Sequence, residues 1–401
     1  MKPQQLKKIG LALAGTFLFA SVGMPQASHA ATAQIMIWTD LDRAQAFQSW
    51  ARTYNRAHSN VVVTVLGKDG LKDKLTTVAD PDAPDIIVGA HDWIGPLKAS
   101  NLIVPVTIAN ASQFEARDKT AFKLGRATYG LPLTVENIAL FRNANLVPKA
   151  PKSMKEIEAI SAKFLKKHKK SLFTLAVSPG DAYHMYPLFS GLGGYVFGGS
   201  AGSWKTSKIG IDNKSFLKNA PLIDKWYKEK LINANVTGDT ALAAFTSGSA
   251  PFYLTGPWNL DKIRLKNINY EISAFPSIVA GVKPVPFYGV QGAMVTKWAG
   301  RAKHGVTLQT AAVMNDLASK KVQLSIANAT IRTPANLLAR KSFKDDDSSA
   351  FFAAGKGAVT MPAILEMGLF WSNVAGAWSN VKQGNAVARF KKAAKTVRSK
   401  I

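Results

Sequence analysis

Carboxylates and tryptophans recur together where short apolar stretches of this sequence end. Asp42 and Arg43 follow one such stretch, and Asp92 and Trp93 follow another. In open α/β sheets, ligands bind outside the carboxyl ends of the strands. A carboxylate there accepts hydrogen bonds from hydroxyl groups, and an indole ring offers a flat apolar face. The alternative interpretation is that the acids cap the following helices and Trp93 lies in the core.

Two further acid or tryptophan groups stand in the second half of the sequence. Trp258 follows the Gly-Pro turn at 256–257, which places its ring on a loop, where it can stack on the C–H face of a sugar. Packing at a helix start is the alternative for Trp258. Glu366 and Trp371 form another group. Trp378 lies seven residues after Trp371, a helical repeat, so we expect Trp378 to be a core residue.

No motif typical of a catalytic or cofactor centre is present. Residues 198–202 match the bare G-x-S-x-G pattern, but loop-like residues follow where a nucleophile elbow requires a helix. The chain has no H-E-x-x-H, P-loop or Rossmann glycine pattern. With no cysteine and no chelating histidine spacing, we expect neither a metal site nor a cofactor. A pair of carboxylates that hydrolyses a glycosidic bond remains an alternative, because the separation of two carboxylates is a three-dimensional property.

The charge of the chain is strongly positive, with a formal net charge of +26 over 401 residues. The lysines are spread along most of the chain, and the densest runs are 166–170 and 390–400. Without an RNP, helix-turn-helix or zinc motif, this pattern does not predict a nucleic-acid partner. Attraction to an anionic cell envelope is the expected consequence instead.

The N-terminus has the pattern of a secretory signal peptide, which we predict over residues 1–30. Lys2, Lys7 and Lys8 precede an apolar stretch at 9–23, and small residues follow. Cleavage is expected after Ala30 or after Ala33, and the alternative is an uncleaved membrane anchor. No cysteine follows the apolar stretch, so we expect a soluble, non-lipidated protein in the periplasm or cell-envelope space.

Short apolar strands alternate with amphipathic helices, which predicts an α/β fold. The first predicted elements are a strand at 34–38, a helix at 44–56, a strand at 61–65, a helix at 71–78 and a strand at 85–88. Ser153 and Glu156 form a capping-box pattern that opens a helix at 157–167. Two extended stretches, 131–140 and 285–295, are predicted to cross between lobes.

Taken in order, these motifs resemble the maltose-binding protein family, the extracellular sugar-binding subunits of ABC importers. The resemblance runs from about residue 34 to the C-terminus. It is carried by IMIW at 35–38, PDII at 84–87, AHD at 90–92, LTVE at 133–136, YPL at 186–188, GGYVF at 193–197, GPW at 256–258, FYGV at 287–290, EM at 366–367 and FW at 370–371.

The resemblance implies a two-lobed periplasmic-binding-protein fold of type II, with discontinuous lobes around a ligand cleft and a hinge of several segments. Residues 34–135 with 291–332 would form the N-terminal lobe. Residues 139–287 with 335–401 would form the C-terminal lobe.

The resemblance also implies the site. The polar sugar-contacting positions are Asp42, Arg43, Asp92 and Glu136, the stacking positions are Tyr183, Trp258 and Trp371, and the further acidic positions are Asp181 and Glu366. Gly89 stands where many members have a stacking aromatic residue, and we expect Trp93 to take over part of that role.

The implied function is capture of a maltose- or maltodextrin-type oligosaccharide, which a monomeric binding protein delivers to an ABC permease in the inner membrane. No reaction is expected. The alternatives are a binding protein for another disaccharide or oligosaccharide, a secreted glycan-active enzyme, and an envelope adhesion or sensing module.

Overall fold

Strands and helices alternate along the chain in the computed structural model, which describes residues 32–300, 307–381 and 384–401. The predicted signal peptide at 1–30 lies outside these ranges. The strands are β1 (Ala33–Thr39), β2 (Val61–Gly67), β3 (Ile86–Ala90), β4 (Lys123–Leu124), β5 (Ala127–Thr128), β6 (Leu131–Glu136), β7 (Ala139–Asn143), β8 (Leu175–Ala176), β9 (Phe197–Ser200), β10 (Ser203–Ile209), β11 (Phe252–Thr255), β12 (Tyr270–Ser273), β13 (Phe287–Val295), β14 (Thr333–Pro334) and β15 (Val359–Thr360).

The helices follow the same chain order. They are α1 (Leu41–Ala57), α2 (Leu71–Thr77), α3 (Ile94–Ala99), α4 (Ala116–Ala121), α5 (Met154–Lys167), α6 (Tyr186–Gly191), α7 (Lys214–Asn219), α8 (Pro221–Lys228), α9 (Gly238–Thr246), α10 (Leu260–Arg264), α11 (Thr307–Leu317), α12 (Lys320–Thr330), α13 (Leu337–Ser342), α14 (Asp346–Ala354), α15 (Met367–Ser379) and α16 (Ala386–Arg398). Short 3₁₀ turns lie at Asp80–Asp82, His91–Trp93, Ala111–Gln113 and Pro257–Asn259. None of the helices in the described ranges is both long enough and apolar enough to cross a bilayer.

The first sheet has seven strands, in the order β14-β6-β13-β3-β1-β2 with β15 on β13. Strand β1 runs parallel to β2 and β3, whereas β13 runs antiparallel to β3 and β6. Helix α1 packs on this sheet with the predicted face of Phe47, Trp50, Ala51 and Tyr54, all of which are buried. The 3.6-residue spacing of these side chains places them on one stripe of the helix, which forms part of the first core.

The second sheet has four strands, in the order β12-β7-β11-β8. Its residues contribute to two further hydrophobic clusters, and helices α15 and α16 pack together in the larger one. Trp378 is completely buried there, which confirms the prediction that it is a core residue. The stretch at 198–202 lies at the hairpin between β9 and β10, so it forms no nucleophile elbow.

The predicted crossing segments connect the two sheets. Strand β6 belongs to the first sheet, and β7, which begins three residues after β6 ends, belongs to the second. Strand β13 begins with Phe287, which packs in the second core, and continues into the first sheet. The described chain from Thr32 to Ile401 nevertheless forms one compact unit. This arrangement is the expected two-lobed α/β fold, although the exact residues that bound each lobe remain a prediction.

Local capping chemistry largely follows the sequence. Ser153 caps α5 and accepts a hydrogen bond from the Glu156 backbone N–H at 3.3 Å. The Glu156 carboxylate, however, accepts from the backbone N–H of Lys152 and not from that of Ser153. At α1, Asp40 is the capping residue, and Asp92 caps no helix.

Candidate ligand-binding site

A cavity of about 510 Å³ lies where segments of the two sheets meet. It collects acids, aromatic rings and an amide from positions far apart in the chain. The lining residues are Ala90, Asp92, Glu136, Gly180, Asp181, Ala182, Tyr183, His184, Trp258, Gln291, Met361, Trp371 and Ala375. Six of the predicted site residues are therefore brought together, namely Asp92, Glu136, Asp181, Tyr183, Trp258 and Trp371.

A hydrogen bond links opposite sides of this cavity. Asp92 lies in the 3₁₀ turn that follows β3, and Trp371 lies on the first turns of α15. The indole N–H of Trp371 donates to the Asp92 carboxylate at 3.0 Å. The bond orients the carboxylate and leaves its other oxygen as an acceptor for a ligand hydroxyl.

Tyr183 lies at the centre of the aromatic group. Its ring centroid is 6.0 Å from that of Trp258, 6.4 Å from that of Trp371 and 5.9 Å from that of Phe287. Burial, followed by repulsion from Glu136, raises the pKa of Tyr183 well above its ordinary value, so the phenol is neutral. These rings present several flat faces to one small volume.

The turn that carries Trp258 depends on a glycine. Strand β11 ends at Thr255, and the 3₁₀ turn Pro257–Asn259 follows. A side chain at Gly256 would bring its first carbon to 2.1 Å from the Trp258 ring. The ring therefore lies directly against the backbone of Gly256, and only glycine leaves room for it in this position.

Asp181 and His184 form a second polar group at the cavity. The Asp181 carboxylate contacts His184 Nδ1 at 2.6 Å and accepts from the backbone N–H of Tyr183 at 2.9 Å. Burial opposes ionisation of Asp181, but the charge and hydrogen bonds of His184 hold the pKa of Asp181 below its ordinary value. The His184 ring also lies edge-on to Trp258, with centroids 5.5 Å apart.

Glu136 is the third acid, and two neighbours hold it. One oxygen accepts from the Gln291 amide at 2.6 Å, and the other lies 3.3 Å from Nε of Arg332. Arg332 is 4% exposed and also pairs with Asp42. Glu136 is therefore an anchored acceptor that faces the cavity.

Asp42 and Arg43 stand behind this acid and do not line the cavity. The Arg43 guanidinium is directed onto the Asp40 carboxylate, with Nε at 2.9 Å from the nearer oxygen. Burial, followed by repulsion from Arg332, lowers the pKa of Arg43 to about 9. In this arrangement Asp42 supports Glu136 through Arg332, whereas Arg43 pairs with Asp40. Direct contact of Asp42 or Arg43 with a ligand remains a prediction.

Trp93 and Glu366 also stand outside the cavity lining. The Trp93 ring packs on the first core, where a side chain at Gly89 would approach it to 2.1 Å. The ring therefore occupies the space that a larger residue at position 89 would need. Glu366 is half-buried just before α15, and its side chain does not cap that helix. Their roles in binding remain predictions.

Three polar residues of the site were not among those predicted. Gln291 lies within the predicted crossing segment 285–295, and His184 directly follows the predicted Tyr183. Arg332 has no local signal, because its role depends on partners nearly 200 or more residues away.

Two buried polar atoms of the cavity residues, the Tyr183 hydroxyl and Gln291 Oε1, have no hydrogen-bond partner among the described residues. A buried polar group without a partner costs about 1–3 kcal/mol. Within the same ranges, no group of three or more His, Asp or Glu side chains is arranged to hold a metal ion.

Comparison with known proteins gives consistent matches over most of the chain. A galactooligosaccharide-binding protein of Bacillus subtilis is 27% identical over 94% of this chain and 92% of its own length. The maltodextrin-binding protein MdxE of the same species is 27% identical over 73% of this chain and 70% of its own. A maltotriose-binding protein of Pyrococcus abyssi is 24% identical over 88% of this chain and 78% of its own length.

A family model described as bacterial extracellular solute-binding protein matches residues 49–353. The match spans β6 and β13, the two segments that connect the sheets, and most of the cavity residues. The chain therefore belongs to the family of bacterial extracellular solute-binding proteins.

Proposed function

We propose that this chain is an exported binding protein that captures a neutral oligosaccharide of the maltose or maltodextrin type and delivers it, unchanged, to an ABC importer. The observation that carries the proposal is the cavity itself. It combines three anchored carboxylates with the rings of Tyr183, Trp258 and Trp371 in about 510 Å³. Carboxylates accept from sugar hydroxyls, and aromatic faces pack on the C–H faces of pyranose rings.

The charge of the cavity favours a neutral ligand over an anionic one. Asp92, Glu136 and Asp181 all line it, and a ligand carboxylate or phosphate beside them would be repelled. The positive charge of the protein surface therefore does not indicate an anionic ligand. We also propose that the protein acts as a monomer in the periplasm or cell-envelope space, with an inner-membrane permease as its partner.

A galactooligosaccharide is the second candidate ligand. The relative named for such a sugar matches 94% of this chain, more than the maltodextrin-binding relative does. Both ligands are neutral and present the same kinds of groups, so the cavity chemistry supports either.

The test is a calorimetric titration with maltose, maltotriose, a cyclodextrin, a galactotriose, trehalose and sucrose. We expect saturable binding of an α-1,4-glucan that Trp258→Ala weakens roughly tenfold, because a lost stacking face costs about 1.5 kcal/mol. Trp204→Ala is the matched control, since Trp204 is half-buried and lies outside the cavity. If galactotriose is the only one of these sugars that binds, the ligand is a galactooligosaccharide and not a maltodextrin.

Analysis of the sugars after prolonged incubation separates binding from catalysis. We expect every oligosaccharide to be recovered intact. Shortened products that disappear in Glu136→Gln would instead support a glycan-active enzyme. Absence of binding to all six sugars would contradict the proposed function.

A further inference from the structure

A second concave surface lies away from the cavity, between helix α5 and the loop that follows β7. We name it the α5 groove. It has a volume of about 630 Å³ and is formed by residues 145–149 of the loop together with one face of α5 and His168. The sugar-binding proposal does not use this groove.

The floor of the α5 groove is apolar. Leu146 and Val147 contribute from the loop, and Ile160 and Phe164 contribute from the helix. The His168 ring stacks on that of Phe164, with centroids 4.0 Å apart. Leu146 and Ile160 are half-buried and His168 is exposed, whereas Val147 and Phe164 are buried beneath them.

The rim of the groove is cationic. Lys149, Lys163 and Lys167 line it, and all three are exposed. None of them forms an ion pair with any residue in the described ranges. The two acids of α5 are engaged elsewhere, since Glu156 accepts from the Lys152 backbone and Glu158 pairs with Lys225 at 2.5 Å.

The exposed lysines continue beyond the groove along the chain. Lys166 lies in the last turn of α5, Lys169 and Lys170 follow the helix, and Leu172 beside them is 62% exposed. The local charge is therefore much higher than the groove lining alone indicates. An occupant must carry negative charge next to an apolar part.

A peptide fits these features less well than a lipid. The backbone N–H groups of Asn145 and Leu146 already donate to the Asn143 side chain, and that of Val147 donates to the Asn143 carbonyl. Pro148 has no N–H. The loop therefore has no free donors in this stretch with which to pair an extended peptide.

We infer that the α5 groove docks the protein on the surface of a membrane that contains anionic phospholipids. The lysine ammonium groups would contact lipid phosphates, and the glycerol and first methylene groups would lie on the apolar floor. Each lysine near an anionic surface raises affinity by about fivefold, and salt weakens the attraction. Docking would keep the binding protein close to a membrane-embedded partner.

The test is co-sedimentation of the compact unit, starting at Thr32, with two kinds of vesicle at about 100 mM salt. One contains phosphatidylcholine alone, and the other contains about one-third phosphatidylglycerol. We expect binding to the second kind only. Lys163→Glu with Lys167→Glu should reduce it at least tenfold. The matched control is Lys391→Glu with Lys392→Glu, which makes the same change of charge at two exposed positions of α16. This control should reduce vesicle binding less than twofold.

Ile160→Ser tests the apolar floor with every lysine intact, and we expect a loss of about threefold. Melting temperature and sugar affinity of each variant show whether the fold is retained. Equal losses in the two double variants would show attraction by net charge alone and would overturn the inference. Wild-type affinity of Ile160→Ser would also overturn it, and so would the absence of binding to the anionic vesicles. Binding of an acidic, leucine-containing peptide in that case would indicate a protein partner instead.

Discussion

Each carboxylate of the cavity is held by a second protein group. Asp92 accepts from Trp371, Glu136 accepts from Gln291, and Asp181 contacts His184. A side chain already fixed in one geometry loses less conformational freedom when a ligand binds. Affinity should therefore depend on the partners of the acids as well as on the acids themselves.

Arg332 is the partner whose removal tests this dependence. Replacing it in Arg332→Met leaves Glu136, whose side chain is 7% exposed, without its positive neighbour. We expect a loss of about 3 kcal/mol in the free energy of unfolding. We also expect a fivefold to tenfold loss of sugar affinity in calorimetry, because Glu136 no longer has a fixed orientation.

The matched control is Arg340→Met. Arg340 pairs with Glu115 and Asp118, outside the cavity. Its replacement should lower stability to a similar extent while affinity stays unchanged. If both variants lose affinity equally, the effect of Arg332 is on the fold alone.

His91 makes the stability of the fold depend on pH. Its ring is completely buried, accepts from the Val290 N–H at 3.1 Å and contacts the Met361 carbonyl at 3.0 Å. Burial lowers the pKa of His91 below its ordinary value of about 6.5. The unfolded chain therefore binds a proton at a higher pH than the folded chain does.

The direction of the change in folding stability with pH follows from the linkage between protonation and unfolding. As the pH falls below about 6.5, the unfolded state gains the proton first, and folding stability declines by up to about 1.4 kcal/mol per pH unit. The decline ends once the folded His91 also protonates. Urea unfolding between about pH 5 and pH 8 should show a shallower dependence in His91→Asn than in the wild type. His168→Asn, at an exposed site, is the control.

At the scale of elements, two 3₁₀ turns bring ligand-facing groups to the ends of strands. The turn after β3 carries Asp92, and the turn after β11 carries Trp258. In both turns an indole ring folds back onto a glycine of the preceding segment, Trp93 onto Gly89 and Trp258 onto Gly256. Each glycine thus determines where an aromatic ring lies.

Gly256→Ala tests whether this packing positions the Trp258 ring, and it replaces no residue that contacts the ligand. The added carbon would lie 2.1 Å from the Trp258 ring, so the ring must move. We expect at least a fivefold loss of affinity, because the stacking face is displaced, and a loss of about 1–3 kcal/mol in stability. Gly238→Ala has no atom within 4 Å of the added carbon and should change neither quantity appreciably. Unchanged affinity in Gly256→Ala would argue against stacking on Trp258.

At the scale of the whole molecule, the cavity belongs to neither sheet alone. Asp92 and Gln291 come from the first sheet and its following turn, whereas Tyr183, Trp258 and Trp371 pack against the second core. The chain passes between the sheets in β6–β7 and again at the start of β13. Two bodies joined by a few extended segments can close on a ligand by hinge motion.

Ligand binding should therefore compact and stabilise the protein together. With the sugar at about a hundredfold its dissociation constant, we expect about 2.7 kcal/mol of added stability and a corresponding rise in melting temperature. Small-angle scattering should show a smaller radius of gyration in the same sample. A sugar that does not bind serves as the control. A rise in melting temperature with no change in the radius would indicate a cleft that binds without closing.

The sequence by itself determined the alternation of strands and helices, the buried face of α1, the crossing segments and three of the cavity residues, Asp92, Trp258 and Trp371. These features depend on local periods, on turn chemistry and on short motifs, all of which are readable from neighbours in the chain. The resemblance to a known family added three further cavity residues, Glu136, Asp181 and Tyr183.

Only the tertiary structure decided which of these side chains share one cavity. Trp371 and Asp92 are 279 residues apart, and Arg332 and Asp42 are 290 residues apart, so no local pattern predicts either contact. The same holds for the predicted site residues that do not line the cavity. Arg43 is turned onto Asp40, and Trp93 is turned onto Gly89. Side-chain direction depends on packing between distant segments, and that packing exists only once the strands have crossed and the sheets have formed.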